Sequence, residues 1–443
     1  MKVSVIGCGY LGAVHAASMT ELGHEVVGVE VDERKVALLA GGRSHFHEPG
    51  FDELLVRALG SGRLTFTTEL AEASGCQVHF ICVGTPQRED HPAADMRYVD
   101  AAVSGLLPHL HPHPDGPVVV VGKSTVPVGT AASIARRIAD GAPESGAALV
   151  WNPEFLREGL AIQDTLSPDR IVYGLPPGAT GEAARKVVDG VYADLLRRKI
   201  PRITTDYATA ELVKVAANSF LATKISFINA MAEVCEVTGA DVVTLAEAIG
   251  HDDRIGAKFL RAGVGFGGGC IPKDIRAFMA RAGELGVDHA LAFLREVDTI
   301  NLRRREHVVA LATQACGGDL NGARIAVLGA AFKPDSDDLR DSPALAVAET
   351  IAGRGGVVVV TDPAALDNVR RTHPHLAVED DPVQAVTGAD VVLLLTEWPE
   401  YLALDPAELG SHVARRQLID GRNALDPARW RAAGWTYRGL GRP

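Results

Sequence analysis

Three glycines near the start of the chain limit its fold more than any other feature. Gly7-Cys8-Gly9-Tyr10-Leu11-Gly12 follows the apolar run Val3–Ile6 and opens an amphipathic segment. At such a junction one glycine serves a tight turn, a second lets a phosphate approach the backbone, and a third lets the helix pack closely on the strand. A helix starting there offers unpaired N–H groups and the positive end of its dipole to an anion. The next apolar run, Val26–Val29, ends at Glu30, where a carboxylate can accept hydrogen bonds from the hydroxyls of an adenosine ribose. That carboxylate would repel a 2′-phosphate, so the segment predicts a site for NAD in preference to NADP, with Arg34 and Lys35 close by acting against that preference.

Through the first third of the chain the runs Val78–Val83, Val118–Val121 and Ala148–Val150 continue the alternation with amphipathic segments, the signature of parallel strands covered by helices. Asp206 to Val237 contains neither proline nor glycine, which predicts one helix of about 45–50 Å, long enough to connect domains or pack between subunits. A second series of strand-like runs follows: Arg324–Gly329, Val357–Val360, Val391–Leu395 and Leu418–Ile419. The expected fold is α/β, with two Rossmann-like doubly wound domains joined by a long central helix and a helical middle domain. Boundaries fall at 1–200, 201–316 and 317–443, with Gly317-Gly318-Asp319 as hinge or helix stop.

A formal net charge of −12 argues against nucleic acid as the main partner, because such proteins gain affinity from a basic face. Six dispersed cysteines suit a reducing compartment, and no apolar stretch is long enough to cross a bilayer, so a soluble cytoplasmic protein is expected. The glycines at 7 and 9 interrupt the first apolar run before a signal peptide's hydrophobic region would be complete. His109-Leu-His-Pro-His113 lies in a proline-broken stretch and reads as a solvated loop, and no metal is expected.

The chemistry concentrates in the middle. Gly265-Phe-Gly-Gly-Gly-Cys270-Ile-Pro-Lys-Asp274 delivers a cysteine to the start of a helix, where the dipole and Lys273 both favour thiolate, the environment of a nucleophile. Cys8, Cys76, Cys82, Cys235 and Cys316 lack such neighbours and read as core or neutral. Lys214 and Asn218 share one face of the long helix among small and apolar neighbours, and a lysine so placed can bond a substrate oxygen or an oxyanion. Asn152-Pro-Glu154-Phe155-Leu156-Arg157-Glu158-Gly159 adds two carboxylates, either able to polarise a water or to position a nicotinamide.

Together with Val83-Gly84-Thr85-Pro86, Ser124–Thr130, Arg254–Phe259, Ala331-Phe332-Lys333-Pro-Asp335 and Arg340-Asp-Ser, these segments resemble the UDP-glucose/GDP-mannose dehydrogenase family over almost the whole length. The resemblance implies oxidation of a nucleotide sugar's C6 alcohol to a carboxylate with two NAD in succession. UDP-glucose is the implied substrate, and GDP-mannose or a UDP-N-acetylhexosamine the alternative. It implies that Cys270 forms a thiohemiacetal and then a thioester, that Glu154 and Asp274 with Thr125 serve the hydrolytic water, and that Lys214 and Asn218 stabilise charge on the C6 oxygen. It assigns Gly7, Gly9, Tyr10, Leu11, Gly12, Glu30, Lys35, Gly84, Thr85, Pro86, Ser124, Thr125, Glu158, Lys273 and Arg340 to the cofactor. To the substrate it assigns Glu154 to Glu158, including Phe155, Leu156 and Arg157, with Lys214, Asn218, Arg254, Phe259, Gly267, Phe332, Lys333 and Arg422. An arginine at the position of Arg254 reaches the neighbouring subunit in this family, implying a homodimer or higher homo-oligomer. The chain departs from the family at Gly269, where serine is common before the cysteine, and at Ala230, where many relatives carry an acid. Two other readings share the first glycine loop: a two-electron hydroxyacid or hydroxyacyl dehydrogenase needing no thiol, and a non-catalytic NAD sensor.

Overall fold

The computed structural model describes all 443 residues. The first compact unit comprises Met1–Ala217 with Arg276–Glu284, and the second Asn218–Ile275 with Leu285–Pro443. Residues of the expected middle segment, 201–316, therefore contribute to both. The long helix, expected over 206–237, spans Tyr207–Thr238.

Eight strands build the sheet of the first unit: β1 (Lys2–Ile6), β2 (Glu25–Val29), β3 (Leu64–Thr67), β4 (Val78–Ile81), β5 (Val119–Gly122), β6 (Ala148–Trp151), β7 (Ile171–Gly174) and β8 (Arg202–Thr205). Their spatial order is β3-β2-β1-β4-β5-β6-β7-β8, and all pairings are parallel except β6 with β7. Strands β4, β5 and β6 are buried at every residue, so they read as unbroken apolar runs instead of alternating ones. From β1 the chain winds outward to β2 and β3, then returns to lay β4 on the other side of β1. That reversal is the topological switch point, and the loops after β1 and β4 carry Gly7–Gly12 and Val83–Pro86 there.

The second unit holds a six-stranded parallel sheet: β9 (Arg324–Leu328), β10 (Val357–Thr361), β11 (Ala377–Val378), β12 (Val391–Leu394), β13 (Gln417–Asp420) and β14 (Thr436–Gly439), ordered β11-β10-β9-β12-β13-β14. Its core joins Val327, Leu393, Ile419 and Trp430 to Val308 and Ala312 of the helix Ala292–Ala315. Both sheets are thus doubly wound. The apolar runs failed to mark β3, β7, β8, β11 and β14; β8 is mostly exposed and β11 has only two residues, so neither has a buried face to pattern. His109 ends a short 3-10 turn, and His113 pairs in an isolated bridge with Gly116, both within a connecting loop.

Candidate active site

The cradle in the first unit is built from close approaches. Gly7 takes φ +87°, and a Cβ there would lie 2.6 Å from Val83 Cγ1; a Cβ on Gly12 would lie 1.8 Å from the Gly7 carbonyl oxygen. Only glycine fits at either position without displacing backbone. The helix Tyr10–Glu21 begins with no side-chain cap and no acid in its first turn, leaving its N–H groups to a phosphate. Glu30 is buried at the end of β2 and accepts the Asp32 N–H at 3.2 Å. Asp32 caps the next helix by accepting the N–H groups of Arg34 and Lys35 at 2.9 and 3.3 Å. This backbone and carboxylate set fits a dinucleotide.

The loops around the cradle are bonded to one another. Thr85 Oγ1 donates to the Thr125 carbonyl at 2.7 Å and Ser124 Oγ to the Val83 carbonyl at 2.7 Å, so the loop holding Gly84 and Pro86 is tied to the loop after β5. A residue that the sequence left unmarked, the buried Glu48, ties Tyr10 to the segment after Glu158. Tyr10 donates its hydroxyl to Glu48, and Glu48 accepts the N–H groups of Gly159 and Ala161 at 2.6 and 2.7 Å. Burial, and after it the Glu48 bond, pushes the Tyr10 hydroxyl far above its usual range.

Glu154 and Lys214 form a buried ion pair at 2.8 Å in the same unit. The other Glu154 oxygen accepts the Leu156 N–H at 2.5 Å, and the Lys214 ammonium lies 5.8 Å from the centre of the Phe155 ring. Burial alone would raise the Glu154 carboxyl, but the Lys214 charge and hydrogen bond, the Leu156 N–H and Lys123 together hold it below its ordinary 4.5. Lys123, itself buried, donates to Asn152 Oδ1 at 3.0 Å. Because the folded value of Glu154 lies below the unfolded one, its ionised form stabilises the fold above about pH 4.5, and that contribution disappears as pH falls through the folded value. Glu154→Gln is therefore expected to flatten the acid limb: urea midpoints at about pH 6 and pH 3.5 should differ less in the variant than in the parent. Equal differences would contradict the assignment. Arg157 is turned to Asp164, 2.6 Å away.

In the second unit Cys270 stands half-buried immediately before the helix Ile271–Glu284, with its carbonyl accepting the Asp274 N–H at 3.0 Å and Pro272 in the first turn. Asp274 is almost fully buried and both its oxygens are engaged, one by Asn218 Nδ2 at 2.7 Å and the other by Lys273 Nζ at 2.6 Å. Arg340 pairs with Asp338 at 2.8 Å, and its guanidinium lies only 2.1 Å from where a Cβ on Gly269 would be. The glycine at 269 thus lets Arg340 pack on the backbone just before the cysteine, and a serine would push that flexible end aside. The other thiols are unsuited to attack: burial pushes Cys82 up to about 12 and Cys76 up to about 11, and also raises Cys8, Cys235 and Cys316.

A cavity of about 320 Å³ in the second unit brings together five of the expected substrate residues, Phe259, Gly267, Phe332, Lys333 and Arg422, and adds Asn229 and Glu397. Arg422, expected to grip the nucleotide, directs its guanidinium to the carbonyls of Leu395, Gly265 and Phe332 at 2.6, 3.1 and 2.8 Å and to Glu397 at 3.3 Å. It braces the cavity wall. Arg254 does not line the cavity; its side chain is 89% exposed and pairs with Asp252 at 2.6 Å. The turn after β9 offers no second dinucleotide cradle, because Asp362 fills it: its carboxylate accepts the N–H groups of Ala330 and Ala331 at 2.7 and 3.0 Å and the Trp398 indole N–H at 3.2 Å.

These two units match known proteins part by part. Residues 1–195 match the NAD binding domain of the UDP-glucose/GDP-mannose dehydrogenase family, 208–303 its central domain and 326–427 its UDP binding domain. UDP-glucose 6-dehydrogenase of Rhizobium meliloti is 42% identical over 444 residues, covering 100% of each chain. The chain belongs to the UDP-glucose/GDP-mannose dehydrogenase family. A UDP-glucose dehydrogenase from the archaeon Pyrobaculum islandicum superposes with a TM-score of 0.90 at 37% identity, over 100% of this chain and 98% of that one. A UDP-D-ManNAc dehydrogenase from Pyrococcus horikoshii gives 0.86 at 27% identity, covering 100% and 99%. Membership fixes the cofactor of this dehydrogenase as NAD, in agreement with the cradle and Glu30. No helix is long and apolar enough to cross a membrane.

Proposed function

We propose that this dehydrogenase oxidises UDP-glucose to UDP-glucuronate, consuming two NAD and one water and releasing two NADH, with a proton accompanying each hydride and a third released by the carboxylic acid. The observation that carries the reading is the half-buried Cys270 at a helix start, one turn before a carboxylate held by Asn218 and Lys273. Bound NAD supplies a hydride acceptor for each oxidation. Lys214 holds the C6 oxygen as the alcohol becomes an aldehyde, and Cys270 Sγ then bonds to the aldehyde carbon, giving a thiohemiacetal. Loss of the second hydride leaves a thioester. Water attacks its carbonyl carbon, the C–S bond breaks, the thiolate returns to Cys270 and the sugar leaves as a carboxylate. Glu154, 2.8 Å from the Lys214 ammonium, serves as its counter-ion. Asp274 with Asn218 serves the water, assisted by Thr125.

In this reading the cofactor takes Gly7–Gly12, Glu30, Lys35, the Gly84–Pro86 and Ser124–Thr125 loops and Glu158, and the nucleotide sugar takes the cavity at Phe332 and Lys333. Functionally the chain divides into a cofactor part over 1–200, a helical part over 201–316 and a nucleotide part over 317–443. The working unit is a homodimer or higher homo-oligomer: Phe220, Phe227 and Val234, about two turns apart on one face of the long helix, leave apolar surface that a second copy would cover, and the exposed Arg254 would reach into that copy's site. The free state of all six cysteines supports a cytoplasmic location.

Product analysis with UDP-glucose, UDP-N-acetylhexosamines and GDP-mannose tests the substrate. The expected result is UDP-glucuronate, with kcat/KM for UDP-glucose at least about 100-fold above the others. A preference for an acetamido sugar, as in the name of the Pyrococcus relative, would replace it.

A further inference from the structure

Asn229 is completely buried on the long helix, yet it lines the cavity that holds Phe332 and Lys333. Its Oδ1 accepts the Gly263 N–H at 2.8 Å, which fixes the orientation of the amide. The Nδ2 that this orientation turns away has no hydrogen-bond partner in the protein. A buried donor without an acceptor is costly, and a site that keeps one favours a ligand supplying the acceptor.

The chemistry of the lining narrows what that ligand group is. Lys333 and Arg422 lie with Phe332 and Glu397 on segments following β9, β12 and β13, and a cation among them suits a phosphate. Asn229 instead stands one helical turn from Ile225 and accepts the Gly263 N–H, on a stretch of wall formed by Ile225, Ala262 and Gly263 beside the exposed Arg261. A neutral donor on such a wall suits a carbonyl of a flat heterocycle. Joined to its ribose through N1, uracil carries O4 on the edge farthest from that sugar, the edge that reaches deepest.

We propose that Asn229 recognises the base of the nucleotide sugar, its Nδ2 donating to uracil O4. The assignment rests on the reading of this cavity as the nucleotide-sugar site. It makes Asn229 a specificity residue: cytosine presents an amino donor at the same position, which an amide donor cannot satisfy.

Asn229→Asp tests it in the full chain, because it keeps an oxygen for the Gly263 N–H and replaces the donor by an acceptor at nearly constant volume. With UDP-glucose, KM is expected to rise on the order of 30-fold with kcat within about twofold. The preference for UDP-glucose over CDP-glucose should fall more than about tenfold, a ratio that phosphate repulsion cannot move because both substrates carry the same phosphates. An unchanged KM and an unchanged preference would overturn the assignment and leave Asn229 as a brace for Gly263 alone. Should the variant fail to fold, parent affinities decide: UDP is expected to bind at least about 30-fold more tightly than CDP, and equal binding overturns the proposal. Lys333→Ala separates the two levels. If it leaves UDP affinity unchanged, the reading of the cavity fails; if it weakens UDP while Asn229→Asp does not, base recognition alone fails.

Discussion

Replacing Cys270 by alanine is expected to reduce formation of UDP-glucuronate on the order of 10⁴-fold, because in the proposed route one sulfur is both the nucleophile and the leaving group of the hydrolytic step. The side chain is half-buried and small, and neither sheet depends on it, so the unfolding free energy should stay within about 0.5 kcal/mol of the parent. NAD affinity should also hold, since the cradle at Gly7–Gly12 belongs to the other compact unit. Loss of activity with intact folding and cofactor binding separates a chemical role from a structural one. A two-electron dehydrogenase on the same sheet would keep its turnover in this variant.

Lys214→Ala should be nearly as damaging to catalysis, with kcat lower by about 10²- to 10³-fold, the usual cost of removing a donor to a developing oxyanion. Unlike the cysteine it should also destabilise. Its partner Glu154 stays buried with no opposite charge 2.8 Å away, and breaking such a pair costs about 3–5 kcal/mol. The pH dependence should weaken with it. In the parent the Lys214 charge and hydrogen bond lead the groups that hold Glu154 below its ordinary value; without them the carboxyl moves up, so the variant should lose less stability than the parent as pH falls. Adding Glu154→Gln to Lys214→Ala should restore much of the stability and none of the activity. Recovery of both would make Lys214 a structural residue.

What could be read in the sequence, and what could not, follows from how each residue acts. Gly7, Gly12 and Cys270 were legible because local backbone demands them: a turn with positive φ, a helix too close for a Cβ, a side chain delivered to a helix start. The ends of the long helix were legible to within a residue because no breaker interrupts it. Glu48, Asn229 and Asp362 were not, because each acts by pairing with backbone distant in sequence: Glu48 with Gly159, Asn229 with Gly263, Asp362 with Ala330. No spacing announces such a bond. Arg422 lies between these cases. Its position among the cavity residues was anticipated, but its three bonds to main-chain carbonyls depend on loops that only the fold brings together.

The most direct measurement counts NADH formed per UDP-glucose consumed, with an aldehyde trap in solution. If Cys270 retains the substrate between the two oxidations, the ratio is about two and the trap collects nothing. A ratio of about one, or aldehyde released to the trap, would contradict the covalent route.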